Sequence, residues 1–402
     1  MFADPQHRLI AFTRLLAVSV LCCLAFSWRL WVSRPHYPLV PLFEFVPALA
    51  FPFDYVLLGW LVVLLLGVVY QPRCRLLITL VLGTFGLLFV QDQSRLWPSF
   101  YQFSFLFLLL ASNRRVDGAA GDQRVLASMR FVFAMVFFWG GVQKLNPYFF
   151  YEEFPWFVEP VTRLWPLATP VLPHIAVAAA LFEMTIGVGL LTRRLRGAAL
   201  GGAVLMNLLI FFCIGPLRDN WNNSSWMWGM TVAAQTWVLF FRAPPFSFRT
   251  MFAAPALHNV PQWLAVILIG FLPVLNNINR WDSALSFNVY SGNVDYAEIH
   301  MRPGVVDRLP DEIAALVHVR FGGAVLVPNE WSRRVFHANT YPETRVFKAL
   351  FRAVCDYLPE GSAALYVREK AGWFFPKRID RYELNGARGV ELSDAGVSPP
   401  DA

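Results

Sequence analysis

"FVFAMVFFWGGVQKLNPYFF", residues 131–150, runs thirteen residues without a charge before Lys144, and an Asn146–Pro147 pair then stops the helix. Such a run suits hydrocarbon better than water, so the lysine at its end needs a reason. The rest of the chain agrees: of 402 residues 56% are hydrophobic, 16% aromatic and only 15% charged. That composition predicts a polytopic α-helical membrane protein.

Nine apolar stretches are expected to span: Thr13–Trp31, Tyr55–Tyr70, Leu76–Gln91, Pro98–Ala111, Met129–Leu145, Ile175–Leu191, Leu195–Ile214, Ser225–Phe241 and Gln262–Leu275. The first follows "MFADPQHRLIAFTR" with no small-residue cleavage site, so it is expected to stay on the chain. Alternate loops divide the arginines unequally. One set holds Arg8, Arg14, Arg73, Arg75, Arg114, Arg115, Arg124, Arg130, Arg193, Arg194, Arg196, Arg242 and Arg249; the other holds Arg29, Arg34, Arg95, Arg163 and Arg218. Thirteen against five places the N-terminus in the cytoplasm and everything after Leu275 outside, periplasmic or luminal. The formal charge of +7 is then topological arginine, and no nucleic-acid partner is implied.

Residues 1–275 thus read as a transmembrane helical domain, 276–390 as an external α+β domain and 391–402 as a disordered tail. Strands are expected at "LSFNVYSG", "YAEIHM", "LVHVRFGGAVLV" and "SAALYVRE". "PETRVFKALFRAVCDYL" sets Val346, Leu350, Val354 and Leu358 at helical spacing behind Pro342 and Glu343. The five cysteines suggest no disulfide framework, and Cys355 reads as a structural thiol. No nucleotide-binding loop, HExxH, CxxC or GxSxG occurs, and the seven scattered histidines lack ligand spacing, so no metal site is expected.

What remains is polar chemistry in and beside the membrane. Lys144 reads either as an anchor snorkelling to the outer headgroups or as a base in a dry recess, where its charged form would be disfavoured. Gly140 and Gly141, four and three residues earlier on the same face, leave room for a ligand or a close helix. Gln143 and Asn146 flank the lysine as candidate ligand contacts. Glu183, mid-span in "ALFEMTIGVGLL", is the second candidate; Asn207, Gln235 or Lys144 could satisfy it across the bundle. "NPYFFYEEFPWFVEPVTRLWP" is too polar and proline-broken to span. It reads as an interfacial belt or as a roof that brings Glu152, Glu153 or Glu159 over the amine. In "LRDNWNNSSWMWGM", Trp226 and Trp228 are simplest as interfacial anchors, with Trp226 also a candidate ligand contact.

The stretch around Lys144 resembles a helix-ending motif of vitamin K-dependent gamma-carboxylase and its relatives, the horizontally transferred transmembrane (HTTM) domain proteins. "LMNLLIFFCIG" at Leu205–Gly215 is similar to a later helix of that family, and "FVQDQSRLWPSFYQFSFLFLL" occupies the place of an earlier one. The resemblance covers about Thr13–Leu275. It implies about nine spans, and it implies that Lys144 deprotonates a reduced quinone; Glu183, read from its own position in the span, is then expected to tune or relay protons. The chain departs from the family: no histidine stands near Pro98 or Ser99, and Val204 occupies the place of another. Glutamate carboxylation is therefore not expected. "LFEMTIGVGLLTRRLRGAAL" is also similar to a helix pair of DoxX-type membrane proteins, some of them quinone-linked.

Three readings stand at this point. One is a lysine-base enzyme acting on a quinone or hydroquinone at the outer face. Another is a non-catalytic scaffold binding an external protein partner. The third is a lipid or small-molecule transporter, for which no broken-helix pairs or inverted halves are visible.

Overall fold

A computed structural model describes residues 4–43, 45–47, 49, 51–113, 117–218, 221–320, 323–373, 378–385 and 389–392. Arg114 and Arg115 lie outside these, as does 393–402 of the expected tail. The chain is mostly helical, with a small antiparallel sheet near the C-terminus.

The helices run α1 (Pro5–Ser27), α2 (Phe53–Tyr70), α3 (Arg75–Gln91), α4 (Pro98–Ala111), α5 (Gly118–Gln143), the short α6 (Phe154–Phe157) and α7 (Glu159–Leu164), α8 (Leu172–Leu191), α9 (Arg196–Ile214) and α10 (Asn223–Phe240). A four-residue α11 (Phe248–Met251) precedes α12 (Val260–Leu264), which continues as a π-helical and then a 3₁₀ segment to Ile278. Local chemistry sets several starts. Asp4 caps α1 by accepting from the Gln6 amide at 3.1 Å, with Pro5 in the first turn. Asn222 caps α10 by accepting from the Ser225 amide at 3.0 Å.

Among the described residues, six segments are long and apolar enough to cross a membrane: Pro5–Trp31, Phe53–Tyr70, Gly118–Gln143, Thr169–Leu191, Arg196–Ile214 and Val260–Ile278. α3 and α4 are shorter apolar helices, and α10 carries Asn, Ser, Gln and Thr that lower its hydropathy. Outward faces are apolar, with Val56 65% and Leu76 67% exposed, as helices facing hydrocarbon require. α5 and α8 cross with their backbones touching. A methyl on Gly141 would lie 2.6 Å from the Ala180 carbonyl oxygen, and one on Gly187 would lie 2.5 Å from that of Ala134.

Several arginines assigned to loops are not there. Arg8 and Arg130 are buried within α1 and α5, because backbone carbonyls at the end of α10 accept their guanidinium hydrogens. Arg95 does stand in the connection between α3 and α4, as expected, but it is buried there, donating to the carbonyls of Leu30 and Leu88.

The sheet has six strands: β1 (Tyr296–Met301), β2 (Val317–Arg320), β3 (Gly323–Leu326), β4 (Ala363–Arg368), β5 (Ile379–Asn385) and β6 (Gly389–Leu392). They lie in the order β2-β3-β1-β4-β5-β6, every pair antiparallel. β6 takes in Glu391 and Leu392, the first residues of the expected tail. Short helices α13 (Asp311–Ala314) and α14 (Pro328–Phe336) and the longer α15 (Thr344–Cys355) accompany the sheet. Val346, Leu350 and Val354 of α15 are fully buried; each such aliphatic side chain contributes about 1.5–3 kcal/mol. Leu358 lies beyond the helix end, partly buried against the same core.

"LSFNVYSG" is not a strand. Its alternation is broken by left-handed backbone at Phe287 (φ 57°) and Tyr290 (φ 52°), and the segment turns toward the helices instead. The sheet unit docks through Tyr37, whose ring packs edge-on against Trp331 and Phe336, and through Gln93, which donates to Glu343 at 2.5 Å.

Candidate functional site

A cavity of about 410 Å³ lies between α5, α8, α9 and α10. Its walls are almost entirely aliphatic and aromatic, with Val136, Phe137, Ala179 and Ile210 among them. Phe149, Phe154 and Phe157 close one side, and Phe287, Val289 and Tyr290 another. Several lining residues also reach the outer apolar surface. Ile175 is 42% exposed, Phe182 47%, Leu205 54% and Leu209 51%, so the rim between α8 and α9 opens toward hydrocarbon.

Lys144 and Glu183 meet in this wall. Lys144 Nζ donates to Glu183 Oε2 at 2.8 Å and to the Gly140 carbonyl at 3.2 Å, with both side chains mostly buried. The amine therefore turns into the bundle rather than standing free at a headgroup level, and it forms a charge-assisted bond in apolar surroundings. Gly140 makes the arrangement fit: a Cβ there would come within 2.5 Å of Glu183 Oε1 and 3.9 Å of Nζ. Of the three partners considered for Glu183, Lys144 is the one in contact. Asn207 lines the cavity and gives one amide hydrogen to Ala203 O at 2.8 Å. Gln235 is wholly buried in α10, and both its amide atoms are unpartnered among the described residues.

The other predicted contacts divide. Gly141 packs against α8 backbone and does not line the cavity. Gln143 faces away and donates to Pro273 O at 3.1 Å. Asn146 ends the helix: its Nδ2 donates to Gln143 O at 2.9 Å and Ser291 O at 3.1 Å, while its Oδ1 accepts from the Phe149 amide. Trp226 is buried edge-on between Phe26 and Phe211, outside the lining, whereas Trp228 lines the cavity and donates to Gln102 Oε1 at 2.8 Å.

Of the roof carboxylates, Glu152 is exposed, and Glu159 pairs with Arg218 at 3.0 Å. Glu153 is half-buried, and burial pushes its carboxyl up to about 7. The positive charges of Lys144 and Arg333 oppose that rise, and Glu152 adds to it. Arg333, on α14, lies 3.9 Å over the Trp221 ring, so the sheet unit reaches this corner.

Two lining residues were not foreseen. Tyr290 carries a buried hydroxyl beside Ser225 and Asn222, and Ser225 lies in the first turn of α10. Left-handed backbone at a tyrosine costs about 1–3 kcal/mol, and here it turns the ring into the cavity wall. Among the described residues, no three His, Cys, Asp or Glu side chains gather as metal ligands do. All five cysteines are free; burial pushes the half-buried Cys355 thiol up to about 12.

Comparison of the chain with family models, with curated proteins and with solved structures gave no match in any of the three.

Proposed function

We propose that this is a multi-pass membrane protein that takes a lipid-soluble, oxygen-bearing molecule of the quinone or hydroquinone class into the cavity and exchanges a proton with it at the Lys144–Glu183 pair. The observation that carries this reading is a buried ion pair set in an apolar chamber whose rim opens to hydrocarbon. Intramembrane ion pairs are expensive, and they mark functional sites when they face a cavity. The resemblance to the HTTM and gamma-carboxylase family points the same way, and the arginine distribution bears on topology alone. We take from these nine spans, a cytoplasmic N-terminus and a sheet unit on the outer side.

The chemistry balances without an added reagent. A ligand O–H gives its proton to Lys144 Nζ as Nζ passes one to Glu183; the ligand oxyanion is left beside the ammonium and the carboxyl is neutral. Gly140 leaves room for the carboxylate to move, and the apolar walls exclude the water that would weaken the pair. Without the two family histidines, glutamate carboxylation is not part of this proposal.

The test is mass spectrometry of molecules extracted from purified protein, wild type and Lys144→Met. A quinone-type molecule present in the wild type and depleted in the variant supports the reading. Phospholipid alone in both would sink it.

A second reading has its own support. The pair joins α5 to α8 and could serve only as a pin for a scaffold, with the sheet unit as docking platform. Under it, Lys144→Met would change stability but leave the extracted molecules unchanged.

A further inference from the structure

At the end of the bundle away from Lys144, three guanidinium groups from three helices converge on the last carbonyls of α10 and those just beyond its end. Arg8 donates to Val238 O at 3.2 Å, Leu239 O at 3.1 Å and Arg242 O at 3.3 Å. Arg130 Nε donates to Leu239 O at 2.9 Å, and Arg196 Nη1 donates to Ala243 O and, at 3.1 Å, to Pro244 O. A helix C-terminus attracts cations, which explains one of them. It does not explain three.

Among the described residues, Arg130, 4% exposed, donates through Nε alone, and Arg196 Nη2 is buried without a partner. Neither residue forms an ion pair with any described carboxylate. The charges of Arg8 and Arg196 both repel Arg130. Like charges gathered in a poorly solvated place call for a counter-charge, and planar guanidinium forks match phosphate oxygens. The level fits as well. Arg130 stands just before the apolar run 131–143, about 21 Å along α5 from Lys144 at 1.5 Å per residue, at one edge of the hydrocarbon-facing surface.

We propose that Arg130 and Arg196, with Arg8 beside them, bind a phosphate-type anion, and that its source is the phosphodiester of an anionic phospholipid in the leaflet on that side. This site stands apart from the Lys144 cavity and does not depend on its function.

The experiment is thermal unfolding of the full-length protein in detergent, with dioleoylphosphatidylglycerol, dioleoylphosphatidylcholine or inorganic phosphate added separately. Phosphatidylglycerol should raise Tm well beyond phosphatidylcholine. Arg130→Gln and Arg196→Gln should each weaken the apparent affinity about tenfold or more. Arg249→Gln, at an exposed position, should not. A shift with inorganic phosphate that the same two variants lose would keep the site and make the free anion its occupant. An equal response to the two lipids, no response to either anion, or an undiminished response in Arg196→Gln would overturn the proposal. Arg196 is only half-buried, so its variant carries the test even where Arg130→Gln does not fold.

Discussion

Lys144 Nζ lies 2.8 Å from Glu183 Oε2, tying the last residue of the α5 turn to the middle of α8 across 39 positions of sequence. Buried pairs of this kind show their strength when broken rather than when removed whole. Lys144→Met should strand a carboxylate and cost about 3–5 kcal/mol, whereas Lys144→Met with Glu183→Leu should cost less than either single change. Chemical denaturation of the four proteins in one detergent measures the coupling; strictly additive losses would mean that the two groups do not interact.

Gly140 offers a finer probe of the same contact. Gly140→Ala puts a methyl 2.5 Å from Glu183 Oε1, so the carboxylate must shift, at a cost of about 1–3 kcal/mol. Gly83, on an open face of α3, has nothing within 4 Å of an added Cβ. Gly83→Ala should be neutral or stabilising by up to about 1 kcal/mol. Thermal melts of both variants check the contrast.

Access can be tested at the rim. Leu205 and Leu209 line the cavity and face outward, so Leu209→Trp should narrow the opening and reduce any molecule that co-purifies. Stability should change by less than about 0.5 kcal/mol, because the position is half exposed. Unchanged recovery of the bound molecule would rule out this route.

The junction between the helices and the sheet unit should respond to pH. Burial pushes Glu343 up to about 7, and Asp282 adds to the rise, against the hydrogen bond from Gln93 and the charge of Arg345. A carboxyl raised in the folded state favours folding most below its unfolded value of 4.5. That contribution is lost as pH rises through about 7. Lys370, lowered to about 8 by burial, works in a higher window: its contribution is full above its unfolded value of 10.5 and fades as pH falls through about 8. Between pH 4.5 and 7 Tm should therefore fall from Glu343, and Glu343→Gln should flatten that slope. A wild-type slope retained in the variant would place the titration elsewhere, at Glu153 for example.

The helical class was legible because hydrocarbon imposes long apolar runs, and the helix over Thr344–Cys355 was legible because its buried positions recur every four residues. Lys144 and Glu183 stood out as charges in apolar surroundings, although sequence alone left three partners for the carboxylate. Tyr290 was hidden: "LSFNVYSG" alternates as a strand does, and nothing local announces left-handed backbone at Phe287 and Tyr290. Arg130 was read as a loop residue because its carbonyl partner lies 109 positions away. β5 was missed because Asp380, Arg381 and Glu383 obscure its alternation.

The turn holding Phe287 and Tyr290 leads within six residues into β1, the third strand across the sheet. Ceiling and sheet are thus one continuous piece of chain, with no slack linker between them. A force applied to the sheet unit, by a docking protein for example, would arrive at the chamber as a displaced tyrosine ring.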